Sequence, residues 1–188
     1  MSSPDSSILP VLRTASETGH SRERLQSEVV ALFNQFREPL LRYLASLGLA
    51  FADGEEVLQE VFLALFQHLD GGKSRENLRG WLFRVAHNLA LKRRYRTRQD
   101  FAARAAPGVE DAVVEPGPNP EDQLLRIQTR ERLMAVVKAL PEQDRECLFL
   151  RAEGLRYREI AGILDMSLGA VSLSLARSLA RIARSAER

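Results

Sequence analysis

The stretch YREIAGILDMSLGAVSLSLARSL, residues 157–179, decides how the chain reads. Its opening places Ile160, Ala161 and Leu164 on one helical face. The small Ala161 lets a second helix cross close above. Asp165 stands where a tight turn needs a left-handed residue, a conformation Asp tolerates better than a bulky side chain. In the helix that follows, Val171, Leu175, Leu179 and Ile182 fall within one quadrant at ~100° per residue, which predicts its core face. Arg177, Arg181, Arg184 and Arg188 form a stripe on the other side, with Ala170, Leu173 and Ser174 leading into it. This is the layout of a helix-turn-helix, whose second helix enters the major groove. Arginines at that spacing suit successive phosphates or guanine edges. The arginines alone fit a solvated bundle face as well; the turn spacing weighs for nucleic acid.

Working outward, the C-terminal part reads as four helices, about 121–139, 142–153, 157–164 and 168–186. Before them, AAPGVEDAVVEPGPNPED, residues 105–122, holds four of the eight prolines, several acids and few large apolar side chains, which is linker composition. The N-terminal half offers three more helices. One spans about Arg24 to Leu49, and Pro39 inside it must kink it or begin another. The next spans about Asp53 to Leu69, with Asp53 as its N-cap and Gly71-Gly72 at its end. The third spans about Leu78 to Arg98, with Trp81 read as core beside Val85 and Leu89. The expected organisation is all-α: a disordered Ser-rich arm (1–22), a helical domain (23–100), a flexible acidic Pro/Gly linker (101–120) and a helix-turn-helix domain (121–188).

Charge is distributed unevenly along the chain. From Arg79 to Arg98 there are seven basic residues and no acidic one; from Gln99 to Asp122 there are six acidic residues against Arg104. Two anion-facing modules on an acidic tether fit that alternation. Composition excludes much else. No apolar run approaches the ~18 residues of a membrane span, so no membrane insertion is expected. No signal peptide is evident at the start, which makes the cytoplasm the default compartment. The single Cys147 allows no internal disulfide or cysteine-rich zinc site and is read as a core thiol, with redox sensing left open. No catalytic constellation, metal set or cofactor loop is found: His87 and Cys147 lie on separate modules, and Glu55 and Glu56 are adjacent and so splay apart on a helix.

Two stretches make the nucleic-acid reading specific. DGEEVLQEVFLALFQHL (53–69) followed by LRGWLFRVAHNLALKRRYR (78–96) resembles conserved region two of bacterial sigma factors. LPEQDRECLFLRAEGLRYREIAGILDMSLGAVSLSLARSLARIA (140–183) resembles their region four. Two modules with a short linker resemble the extracytoplasmic function (ECF) group of the sigma-70 family. The resemblance implies a non-enzymatic factor that binds core RNA polymerase and promoter DNA, and that an anti-sigma partner holds inactive. It implies polymerase contacts by Glu56, Gln59, Glu60 and Leu63. It implies minus-ten contacts by Arg79, Arg84, Asn88, Lys92, Arg93, Arg94 and Arg96, and minus-thirty-five contacts by Arg156, Ala170, Leu173, Ser174, Arg177 and Arg181.

The bare residues agree on two points. Leu63 is a lone apolar residue beside Glu56, Gln59 and Glu60, away from the core arc Val57, Leu58, Val61, Phe62 and Leu65. Asn88 carries the bidentate amide that base recognition uses. The chain also departs from the family pattern: Ala170 stands where Thr is usual, and Ser172 and Ser174 stand near positions usually basic. A stand-alone helix-turn-helix regulator with a helical sensor domain, dimeric on a palindrome, is the competing class.

Overall fold

Leu40, Tyr43, Leu44 and Leu47 recur at three- and four-residue spacing and are all buried, which fixes the inner face of the first helix. A computed structural model describes residues 9–103 and 131–186, with side chains from 21 to 99 and from 131 to 185. Helix α1 runs Leu9–Ser46, α2 Phe51–Asp70 and α3 Leu78–Ala103. The three pack as a bundle through Val57, Leu58, Val61 and Leu65 of α2 and Leu82, Phe83, Ala86 and Ala90 of α3. Each large apolar side chain buried here stabilises by about 1.5–3 kcal/mol. Phe33 meets Phe62 edge-on at 5.0 Å between ring centres. Trp81 is half-buried against His68, centroids 4.6 Å apart, and packs on the core.

Several local expectations need correction. Helix α1 begins at Leu9, so it takes in residues 9–22 of the stretch assigned to a disordered arm; Pro10 sits in its first turn, where a missing N–H costs nothing. It also runs unbroken through Pro39. The carbonyl that loses a bond there belongs to Gln35, an exposed residue that water reaches. The N-cap of α2 is Ala50, and Asp53 instead lies within the first turn, facing Arg93. Helix α3 continues to Ala103, past the expected linker start. The rest of that linker, and the start of the first C-terminal helix, lie outside the described residues.

In the C-terminal part, residues 131–138 are helical (α4), followed by α5 (Glu142–Ala152), α6 (Tyr157–Leu164) and α7 (Leu168–Ala186). Asp165 closes α6 at φ 52° and ψ 48°, the left-handed turn the sequence anticipates. Ile160 and Ile163 of α6 meet Val171 and Leu175 of α7 over the buried Cys147 and Leu150 of α5. Burial pushes the Cys147 thiol up, and its Sγ lies 3.6 Å from the Met166 sulfur. Leu179 is 57% exposed, whereas Ser174 and Ser178 are fully buried. The packed face of α7 is thus rotated toward its small serines, where α5 approaches closely. Asp144 of α5, only 6% exposed, holds Arg177 of α7 at 2.8 Å, and that guanidinium keeps its carboxyl below the usual carboxylate range.

The two groups of helices lie against each other, α3 on α6 and α1 on α5. Arg42 forks onto both carboxylate oxygens of Glu153 at 2.9 Å, Arg94 meets Glu142 at 2.6 Å, and Arg79 donates to the Glu153 backbone carbonyl. Beneath them the Tyr43 hydroxyl and Nδ1 of buried His87 share a hydrogen bond of 2.8 Å. Burial, with the charge of Arg94, holds His87 below its ordinary pKa.

Two predictions follow from these polar contacts. Arg177→Ala lowers the urea midpoint more than Arg181→Ala does, because Arg177 is bonded to the buried Asp144 carboxylate; equal effects contradict the pairing. For His87 the unfolded chain takes up a proton below about pH 6.5 that the folded chain resists, so stability falls as the pH drops through that value. His87→Gln flattens the slope of stability between about pH 7 and 5.5, and an unchanged slope assigns the effect elsewhere.

Candidate nucleic-acid interface

Helix α3 is started by Asn77, whose side-chain oxygen accepts from the Gly80 N–H at 3.1 Å. From there Arg84, Asn88, Lys92 and Arg96 follow at four-residue steps and are all exposed, forming one slowly drifting stripe. Asn88, Lys92 and Arg96 make no hydrogen bond or ion pair among the described residues. The other cations expected at the minus-ten site have protein partners. Arg93 is clamped by Asp53 at 2.6 Å and Glu56 at 2.7 Å. Arg94 and Arg79 reach Glu142 and Glu153 of the C-terminal helices, as above. Arg84 lies over Gly162 of α6, its Nη2 2.6 Å from where a Cβ would sit, so the guanidinium rests directly on the helix backbone.

On α2, Gln59, Glu60 and Leu63 are exposed on the side opposite the core arc, Leu63 by 59%. Glu56 shares this face while also holding Arg93. Periodicity did not single out Phe51, 74% exposed at the start of α2, or Tyr95, 63% exposed on α3. An aromatic residue at a helix end carries no signal of whether a neighbour covers it. Nor did the sequence show Arg42, Glu142 and Glu153 as the bridge between the helical groups, since Arg42 and Glu153 are 111 residues apart.

On the helix-turn-helix, Arg156 is exposed at the N-cap of α6, and its N–H is met by the Glu159 carboxylate, closing the first turn. The N–H of Ala170 is capped by the Ser167 hydroxyl at 3.1 Å. Leu173 and Arg181 face solvent. Ser174, expected on the DNA side, is buried instead; the helix rotation that exposes Leu179 turns it inward toward α5. Arg177 and Arg181 flank a cleft of about 340 Å³ with Pro141 and Arg184. The arrangement offers an open cationic stripe on one helical group and a helix-turn-helix on the other, which is equipment for binding a polyanion. Among the described residues no group of His, Cys, Asp and Glu is placed to hold a metal, and no single helix is long and apolar enough to cross a membrane.

Comparison with known proteins agrees. Residues 32–100 match the family model for sigma-70 region 2, and residues 130–182 match that for sigma-70 region 4. The chain is 30% identical over 133 residues to the ECF RNA polymerase sigma-E factor of Escherichia coli (strain K12), covering 67% of this chain and 70% of that protein. It is 31% identical over 134 residues to the probable RNA polymerase sigma factor RfaY of Xanthomonas campestris pv. campestris, covering 70% of this chain but only 33% of that longer protein. Its fold is like that of the sigma factor RpoE solved in complex with the anti-sigma factor NepR from Bartonella quintana (TM-score 0.66, 17% identity, 88% of this chain and 98% of that one). It is also like that of CnrH solved with the cytosolic domain of CnrY (TM-score 0.56, 21% identity, 86% and 89% covered). With both sigma regions present in order, and with 70% of the E. coli factor's length matched, the chain belongs to the ECF group of the sigma-70 family.

Proposed function

We propose that this chain is the promoter-specificity subunit of a bacterial RNA polymerase: it docks on core enzyme and directs it to start sites. The observation that carries this is the pairing, in one chain, of an exposed cation stripe on α3 with a helix-turn-helix, each inside a matched sigma region. The outward face of α2, with Leu63 among Gln59, Glu60 and Glu56, is the polymerase contact. Arg84, Asn88, Lys92 and Arg96 hold and read the minus-ten element, Asn88 through its amide and the cations through phosphate. Arg156, Leu173 and Arg181 face the minus-thirty-five element. The chain supplies recognition, and the bond-forming chemistry belongs to the polymerase. The free-standing regulator is disfavoured because it leaves the outward face of α2 without a task. An anti-sigma protein, as in the RpoE complex, is the partner expected to hold the chain in reserve.

The closed arrangement bears on how such a factor works. Arg79 and Arg94 bond to the C-terminal helices and Arg84 lies over Gly162 of α6, so the modules part before α3 lies fully against DNA. Each ion pair that joins them has one well-exposed partner, Arg42 in one and Glu142 in the other, so solvent screens both pairs.

Two measurements test this reading. Leu63→Arg weakens co-elution with core polymerase about tenfold or more with an unchanged melting midpoint, and undiminished co-elution removes the α2 contact. Glu142→Ala with Glu153→Ala raises the radius of gyration in solution scattering and strengthens binding of the free chain to a single-stranded minus-ten oligonucleotide by about three- to tenfold. No change in either quantity contradicts the covering role.

A further inference from the structure

The side of α7 turned to solvent has an unusual chemistry for a helix that enters a DNA groove. From Met166 to Ala176 there is no Asp, Glu, Lys, Arg, Asn or Gln. Because Val171, Ser174, Leu175 and Ser178 are buried, the outward face of the first half of α7 is Leu168, Gly169, Ser172, Leu173 and Ala176. Leu168 is 48% exposed and Leu173 57%. The polar groups nearby are mostly committed elsewhere. The Ser167 hydroxyl caps the Ala170 N–H, Ser174 points into the core, and Arg177 is held by Asp144 at 2.8 Å. Arg181 stands more than three turns beyond Leu168. In a helix-turn-helix the N-terminal part of the second helix meets the base edges, and here that part carries no side chain able to grip a purine edge bidentately.

What it carries is a branched apolar side chain held out on a rigid helix. Among the groups the major groove displays, the one an apolar side chain recognises is the thymine C5-methyl. We infer that Leu173 is the specificity-determining residue of the C-terminal module, and that it selects promoters by packing on thymine methyl groups of the minus-thirty-five element. This rests on the reading above that α7 lies in the major groove; it adds which base is chosen and by what contact. Affinity then comes from elsewhere, from Arg156 and Arg181 on phosphates and from the polymerase itself. A leucine contacts one or two methyls, so discrimination falls at one or two positions of the element and is weak across the rest. Ser172, the remaining outward hydroxyl, donates or accepts with any base edge and adds little choice.

The test exploits the fact that deoxyuridine differs from thymidine only by that methyl and keeps every hydrogen-bonding group. The full chain, assembled with core polymerase, is given a promoter recovered by run-off transcription from a genomic fragment library. Each thymine of its minus-thirty-five element is replaced singly by deoxyuridine. At one or two positions the replacement weakens binding by the wild-type complex about fourfold, the value of one buried methyl-sized group. Leu173→Ala binds the thymine and uracil forms equally, about as weakly as wild type binds uracil. Arg181→Ala weakens both forms and keeps their ratio. Indifference of the wild-type complex to every replacement overturns the inference, as does a Leu173→Ala complex that still prefers thymine. In either case the sigma reading stands as long as the complex initiates at the promoter. Failure of the chain to direct core polymerase to any promoter removes both.

Discussion

A run of guanidinium and ammonium groups on one helix has to be matched by anions, and how α3 meets that demand organises the molecule. Seven basic residues between Arg79 and Arg98 face no acid of their own segment. Asp53 and Glu56 of α2 neutralise Arg93, which also ties the two helices of the N-terminal bundle together. Glu142 and the Glu153 backbone, both from the C-terminal helices, receive Arg94 and Arg79. Lys92 and Arg96 remain open to solvent and to any phosphate that arrives. The pairs with Asp53 and Glu56 tie the bundle together, whereas those with Glu142 and Glu153 join the two helical groups. DNA phosphates compete for the same cations, and with several contacts at once they gain from counterion release. On the proposed function, one set of charges joins the helical groups in the free protein and meets DNA once those groups separate.

Much of this was legible in the sequence because the signals are local. The arc Val57, Leu58, Val61, Phe62 and Leu65 is buried as its spacing requires, and Leu63 stands opposite it. The turn at Asp165 has the expected left-handed backbone. The errors have physical causes. Hydrophobicity put Leu179 in the core and Ser174 outside, yet helix approach is set by size as well as polarity. The small Ser174 and Ser178 let α5 pack close, bringing Asp144 to Arg177, and Leu179 is left outside. Proline in a helix reads as a break, but the unbonded carbonyl at Gln35 is on the wet side of α1. The contacts between the helical groups join residues far apart in sequence, and no local pattern encodes them.

The start of α7 departs from what the family resemblance implies. The resemblance implies a hydroxyl and cations there; the chain has Ala170, Ser172 and Ser174, the last of them buried. Loss of charge on a recognition helix weakens its grip without removing its ability to choose, because apolar contact to a methyl is still selective. On the proposed reading, the C-terminal module divides binding strength from sequence choice: cations and the polymerase supply the first, and the outward Leu173 the second. Such a division suits a protein whose DNA contacts matter only once it is mounted on a larger machine.

The most direct test of that dependence is the binding of the purified chain to a fluorescent promoter fragment, measured with and without core RNA polymerase at fixed salt. The account predicts weak, sequence-indifferent binding by the chain alone and tight, promoter-selective binding with core enzyme, followed by initiation at one position. Tight and selective binding by the chain alone, unchanged when polymerase is added, would contradict it.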